Sequence, residues 1–493
     1  MKISEIFGLE NTQIQLEFVD IDLEMDYALY IDPFLIAQLE SQWSISADET
    51  IKNFFNTVVN MIIENKKEGA IELFEFMSEP KETCLGLSKS GTTNGKGVGN
   101  SNADEIIEGI IKSGVIEEGL VKNIEDIIVF VDNVGKDKLS DMVTNLIRYH
   151  LLQYTKKQCE IWGFPMTEME SLPYWNPQIN DWDTTITQHL MIDGRNILLV
   201  PKFIVSKIDI FSSATYNWFF AIEEVRNEHL ERRSALVKYR KYKNGREKYS
   251  CSKKDVNNYI GTQINNGQYM SRKDFLRKFT LEKPYIFENF VAQSSKKIKP
   301  MTHEEMEEFV DSIDIDILID NLVNQLSNIN TGREAATEYH MFIRDVLELL
   351  FYPYLVNPSV EEVIHDGRKR IDIVLENNSK AGFFHNLHNI GRVFCPYVYI
   401  ECKNYGQEVA NPEIDQLAGR FSDYRGKFGI LMCRSVMDRE RLIKRCQDTY
   451  KDGRGLIIPL LDEDIRLMLQ SIKEDEGYIQ RYLEAIKKNI VIS

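Results

Sequence analysis

Two short stretches carry charge inside apolar runs: RIDIV at 370–374 and IECK at 400–403. In extended chain, side chains alternate between faces. Ile371 and Ile373 then enter a core and Asp372 points the other way. Val398, Ile400 and Cys402 meet a helix layer, while Tyr399, Glu401 and Lys403 take the opposite face. If the two strands are neighbours, Asp372, Glu401 and Lys403 converge at one end of a sheet. Charge in a core is costly unless something binds it. Two carboxylates beside a cation make a divalent-metal site with a phosphate neighbour. Hard oxygen ligands suit Mg²⁺ or Mn²⁺. Such an ion polarises a phosphoryl oxygen and lowers the pKa of a bound water. Lys403 would orient or deprotonate that water, or stabilise charge developing on the phosphate. The chemistry this pattern suits is phosphodiester hydrolysis.

The elements that must position these residues are legible around them. Residues 333–351 have apolar side chains at 335, 339, 342, 346 and 349, one face of a helix. The stretch 361–377 reads as a hairpin turning at Asp366-Gly367. A loop-rich insertion, 378–396, precedes the strand 397–403. A helix follows over 411–424 with Pro412 near its start. Next come a buried strand at 428–434, a helix at 437–450, a strand at 455–461 and a closing helix at 462–472. Strands alternating with helices predict an α/β sandwich with a mixed central sheet.

The pair RIDIV and IECK resembles the D…ExK core of the PD-(D/E)xK, or restriction-endonuclease-like, nucleases. The resemblance covers residues 331–493, and the tail from 429 is similar to the end of type IV (methylation-dependent) restriction nucleases. It implies a metal-dependent DNA endonuclease with Asp372 and Glu401 as ligands and Lys403 as the catalytic cation. A helix ahead of the core strands often adds a further acid in this family. That position falls on Glu338, with Glu334 as its rival one turn earlier. A helix after the ExK strand often carries a Gln, here Gln416, with Arg420 and Tyr424 at successive turns of the same face. Arg420 is then a nucleic-acid contact. No Pro precedes Asp372, and the interval from Asp372 to Glu401 is long.

The whole chain sets the context. A length of 493 residues predicts about three domains. We read 1–215 as a mainly helical α+β region, 216–325 as a basic middle, and 326–493 as the nuclease domain. Hydrophobic content of 43% and charged content of 27% are those of a globular protein. Seven Cys without a CxxC pair favour free thiols in a reducing compartment. The N-terminus lacks an apolar leader, and no uncharged apolar run approaches the roughly 18 residues of a membrane span. These features predict a cytoplasmic protein with no membrane partner.

The net charge is −17, which argues against general affinity for nucleic acid. Residues 216–300, however, hold about 19 Lys and Arg against about 9 Asp and Glu. Tyr interleaves with cations over 238–254, so Lys241, Lys243 and Lys248 are candidate contacts to a DNA backbone. A solvated basic surface is the plain alternative. Elsewhere, the Gly-rich stretch 86–110 runs into a helix without Walker A spacing. A mobile surface loop is its plain reading, phosphate binding the sharper one. Ser140 or Asp141 reads as a helix N-cap. The eight His, and the group His385, His388 and Cys395, show no zinc spacing.

Two functions from different classes follow. The first is a Mg²⁺-dependent endonuclease (Mn²⁺ serving as well), acting on DNA in prokaryotic restriction or anti-phage defence. Its N-terminal regions would recognise the substrate or a trigger. RNA as substrate, a homo-oligomer and a defence-system partner protein stay open. The second is a catalytically silent nucleic-acid- or partner-binding protein that keeps the nuclease fold as a platform.

Overall fold

The computed structural model describes residues 1–492 except 10, 26, 28, 86–100, 207–210, 245, 311–314, 365–368, 406–410, 473–474 and 476. The Gly-rich stretch 86–100 and the hairpin turn at Asp366-Gly367 therefore lie outside the described residues. The chain folds around two hydrophobic cores. One gathers residues from Ile3 to Met306 and also Tyr352 and Val356. The other gathers Ile14 and residues from Leu318 to Ile490.

The basic middle has no core of its own. Tyr216, Ile222, Val256, Ile260, Phe275 and Phe290 are buried in the first core. Its helices turn their apolar stripes inward, and Arg277 among their cations is also buried, donating to Phe130 O. The second core takes in the helix Ile315–Asn328, which the boundary at 325 would have cut.

Within the first core, helix α1 spans Gln42–Ile63 and is capped by Ser41, whose Oγ accepts from Ser44 N at 3.1 Å. The pattern over residues 138–159 predicts one long helix, but there are two, α2 over Lys136–Leu146 and α3 over Arg148–Trp162, broken at Ile147. Arg148 is buried at the break, donating to Glu82 and to Asn145. Ser140 and Asp141 lie inside α2, whose N-cap is Gly135, so the capping reading is corrected. Ser140 Oγ instead accepts from Ile31 N at 3.0 Å. The stretch 188–205 predicts a hairpin turning at Asp193-Gly194, and it is present: β1 (Ile186–Ile192) pairs with β2 (Arg195–Ile197) around those two residues. Both turn residues have positive φ, 49° and 75°, as a two-residue turn of this hand requires. The alternation over residues 13–32 predicts two strands, but among the described residues it contributes only the strand Tyr30–Ile31. The described remainder forms turns and isolated bridges, with Met25 exposed, and Gln13 binds back to Phe18 O and Asp20 N. A second hairpin joins β3 (Lys238–Lys241) to β4 (Glu247–Ser250), and every strand residue in it is exposed.

The second core is built on helix α4 (Ala336–Phe351) and five strands. These are β5 (Leu355–Ile364), β6 (Lys369–Asn377), β7 (Tyr397–Lys403), β8 (Phe428–Cys433) and β9 (Leu456–Leu461), in that spatial order. The first three run antiparallel, while β7, β8 and β9 are parallel. The sheet is mixed, as expected. Parallel neighbours need crossovers, supplied by α5 (Asn411–Ala418) between β7 and β8 and by α6 (Arg439–Lys451) between β8 and β9. Strands β8 and β9 are buried at every residue, which explains their unbroken apolar runs. Helix α7 (Asp462–Ser471) follows, then α8 (Tyr478–Val491), an element the sequence reading did not draw. Helix α5 ends at Ala418, so Tyr424 is not on it and stands 92% exposed.

The two cores meet at a buried charge cluster. Lys202 Nζ donates to Glu348 of α4 at 2.9 Å and to Ile14 O at 3.0 Å. Glu17 accepts the backbone N–H of Asn357 in β5 at 2.7 Å. The ring of Tyr352 lies under the ammonium, 4.5 Å from its centroid. No helix among the described residues is long and apolar enough to cross a membrane.

Candidate active site at the ends of two strands

Strands β6 and β7 pair antiparallel, with Ile373 opposite Ile400. One step further, the same register sets Asp372 opposite Glu401. There the ladder stops, and Asp372 Oδ2 accepts the Cys402 N–H at 2.8 Å. The two acids are thus held on adjacent strands by the sheet itself.

Glu401 is 2% exposed. Its Oε1 accepts from Lys403 Nζ at 2.8 Å and from Gln416 Nε2 on α5. Gln416 Oε1 in turn accepts from Lys403 Nζ at 3.1 Å. The amide therefore offers its donor to the carboxylate and its acceptor to the ammonium, closing a three-membered ring of contacts. Glu401 Oε2 is buried without a hydrogen-bond partner. Burial, and then repulsion from Asp372, hold the Glu401 carboxyl above its ordinary range, with Lys403 and Arg420 opposing. Arg420, just past the end of α5, is 9% exposed, and its Nε is also buried without a partner.

Alternation along β7 sends Cys402 to the face opposite Glu401 and Lys403, toward α4. The α4 residue at this point is His340. Its Nε2 lies 3.9 Å from Asp372 Oδ2, and ligand atoms of His340, Asp372 and Cys402 lie within 4.8 Å of one another. Glu338 and Glu334 are exposed. At about 100° per residue, Glu338 points roughly 200° around the helix from His340. The rotation of α4 is fixed by Tyr339, fully buried, with its hydroxyl on Asp462 Oδ1 at 2.9 Å and Arg434 stacked on its ring. The acid expected from this helix is thus replaced at the strand ends by an imidazole. The signal was a lone His beside a buried aromatic, with no spacing motif to mark it.

The donor set fits a divalent cation. It holds two carboxylates on neighbouring strands, one with an orphaned buried oxygen, while His340 and Cys402 approach Asp372 from the other face of the sheet. Carboxylates suit Mg²⁺ and Mn²⁺. The Cys402 thiol is pushed well up by burial and then by the charges of Asp372 and Glu401. The structure brings together Asp372, Glu401, Lys403, Gln416 and Arg420, and leaves Glu338 in solvent. Lys241, Lys243 and Lys248 stand on the exposed hairpin of the first core. His385 and His388 are engaged with Ser379 O and Cys395 N.

A family described as Domain of unknown function (DUF8370) matches residues 8–212, within the first core. The chain is also 28% identical over 192 residues to the "Putative transposon gamma-delta 80.3 kDa protein" of Escherichia coli (strain K12). That match takes in 36% of this chain and spans about a quarter of the relative's length, 26%. No solved structure matches.

Proposed function

We propose that this chain is a metal-dependent endonuclease that hydrolyses DNA phosphodiester bonds. In this reading its second core is a restriction-endonuclease-like domain. The observation that carries the reading is Glu401: buried, pinned through one oxygen by Lys403 and Gln416, unpartnered at the other, and opposed by Asp372. A buried carboxylate left half unsatisfied beside a second acid is costly, and a bound cation removes that cost. Asp372 and Glu401 would hold the ion. Mg²⁺ or Mn²⁺ would supply Lewis acidity and an acidified water. The protein's own contribution is positional. Gln416 fixes Lys403 against Glu401, so the ammonium meets an incoming phosphate already oriented. Arg420 adds positive charge from the same side. The transposon in the relative's name is in keeping with DNA as substrate. Restriction or anti-phage defence in the cytoplasm is the setting this activity suits, with the first core reading the substrate or a trigger.

The test is incubation of the pure protein with plasmid, linear duplex, single-stranded DNA and RNA, each with Mg²⁺, Mn²⁺ or chelator. Cleavage of DNA that requires metal and is lost in Asp372→Asn is expected. No metal-dependent cleavage of any substrate, or normal cutting by the variant, would leave the silent platform standing instead.

A further inference from the structure

The exposed hairpin of β3 and β4 has two unlike faces. Opposed residues share a face, and the pairs are Lys238 with Ser250, Tyr239 with Tyr249, Arg240 with Lys248, and Lys241 with Glu247. The pairing continues into the turn, where Tyr242 N donates to Arg246 O at 2.8 Å. One face therefore carries Lys238, Arg240, Tyr242, Arg246, Lys248 and Ser250. The other carries Tyr239, Lys241, Glu247 and Tyr249.

The second face is satisfied from within. Tyr239 donates its hydroxyl to Glu247 at 2.8 Å, and Lys241 lies 3.8 Å from the same carboxylate. The rings of Tyr239 and Tyr249 meet at 5.1 Å, and the Arg233 guanidinium caps Tyr249 at 4.4 Å. On the first face, Lys238 at the base is paired with Asp255. Among the described residues, Arg240, Arg246 and Lys248 have no ion-pair partner. Arg240 and Lys248 are direct cross-strand neighbours, an arrangement that repels unless an anion lies between them. Arg240 is stacked on Tyr242 at 5.1 Å, which orders its guanidinium.

We propose that the face bearing Arg240, Arg246 and Lys248 docks on the phosphates of a DNA duplex, with the Lys241 face turned away. This rests on the nuclease reading and names the surface through which its substrate is held. Duplex is favoured over single strand because Tyr239 and Tyr249 are engaged on the opposite face and Tyr242, on this face, is taken up by the Arg240 guanidinium. A two-stranded ribbon is also of a width the major groove admits. The arm places cations away from a body whose remaining charge is strongly negative, so it offers duplex an approach the rest of the surface denies.

The test compares two equal changes in net charge in the full-length protein, in chelator, by titrating a labelled duplex across a series of salt concentrations. Arg240→Gln with Lys248→Gln should weaken binding to all sequences alike and flatten the salt slope by about 1.8. Lys241→Gln with Lys243→Gln should leave the slope near that of wild type. Equal effects of the two pairs, a larger loss from the second, or a loss confined to single strands would overturn the assignment. Metal-dependent cleavage by wild type scores the nuclease reading separately. A protein that cuts DNA while both pairs behave alike loses only the arm, whereas one that neither binds nor cuts duplex loses both.

Discussion

Each core contributes to a buried cluster of one lysine and two carboxylates, and the two clusters are resolved differently. At the junction, Lys202 and Glu348 are 1% and 2% exposed. Tyr352 and the backbone close over them. Glu17 is equally buried, and its pKa is pushed well up, by burial first and then by Glu348. Burial thus favours the protonated form of Glu17, while the ammonium meets Glu348 directly. At the strand ends, Lys403 keeps 12% of its side chain in solvent, and the amide that holds it belongs to an exposed residue. Glu401 and Asp372 face each other from neighbouring strands with only one ammonium hydrogen-bonded to the pair. The same groups serve as a bolt in one place and as a receptor in the other. What separates them is access from solvent, not composition.

Lys202→Met tests the bolt and carries the largest expected effect. It leaves Glu348 buried without its cation, which typically costs about 3–5 kcal/mol. Urea unfolding should show that loss, and a change below about 1 kcal/mol would end the structural reading of the junction. Lys403→Ala tests the receptor. It should cut DNA cleavage by about 10²–10³ with unfolding nearly unchanged. Rates within threefold of wild type would remove Lys403 from the chemistry.

Glu17→Gln sharpens the contrast through pH. A carboxyl whose folded pKa is raised contributes stability that is present below its ordinary range and lost as pH rises through the folded value. Wild type should therefore lose stability from mildly acid to mildly alkaline buffer, at up to about 1.4 kcal/mol per pH unit while Glu17 titrates. Gln mimics the protonated carboxyl and should flatten that slope; parallel profiles for the two proteins would show that the proton is not held there. The smallest effect is expected from Asp372→Asn. Removing one of two opposed charges should let it bind duplex in chelator at least as well as wild type, while Ca²⁺ improves wild type more. Loss of binding in both buffers would deny Asp372 a place among the metal ligands.

The comparison also separates what the sequence could convey. Strands β6 to β9 and the helices between them were legible because each is a run with a single period bounded by turn residues. Asp372, Glu401 and Lys403 stood out as charges interrupting those runs. His340 did not, because its meaning depends on the rotation of α4, which Tyr339 sets by reaching Asp462 more than a hundred residues away. Glu338 follows from the family's pattern of an acid on the helix before the core strands, a pattern blind to that rotation. In the first core, the stretch 14–31 alternates like a strand yet folds as turns held by Gln13 and Asp20. Ile14, Leu16, Phe18, Val19, Ile21 and Leu23 find burial without a ladder, so period alone misled. The domain boundary at 215 failed for a related reason, since the charge of those helices says nothing of their apolar faces, which belong to a neighbouring core.

Gly429 in β8 has no chemistry of its own. A Cβ there would lie 2.9 Å from Tyr399 O and 3.1 Å from both Leu417 methyls. Helix α5 can sit this close to the sheet only because that position is bare. Leu417 is the neighbour of Gln416, so even one added methyl would lift the helix and draw the amide away from Lys403 and Glu401. A change without charge, buried on a different strand, would thus detune the site as a shim detunes a latch. Natural variants there would keep every polar residue named above and still differ in rate.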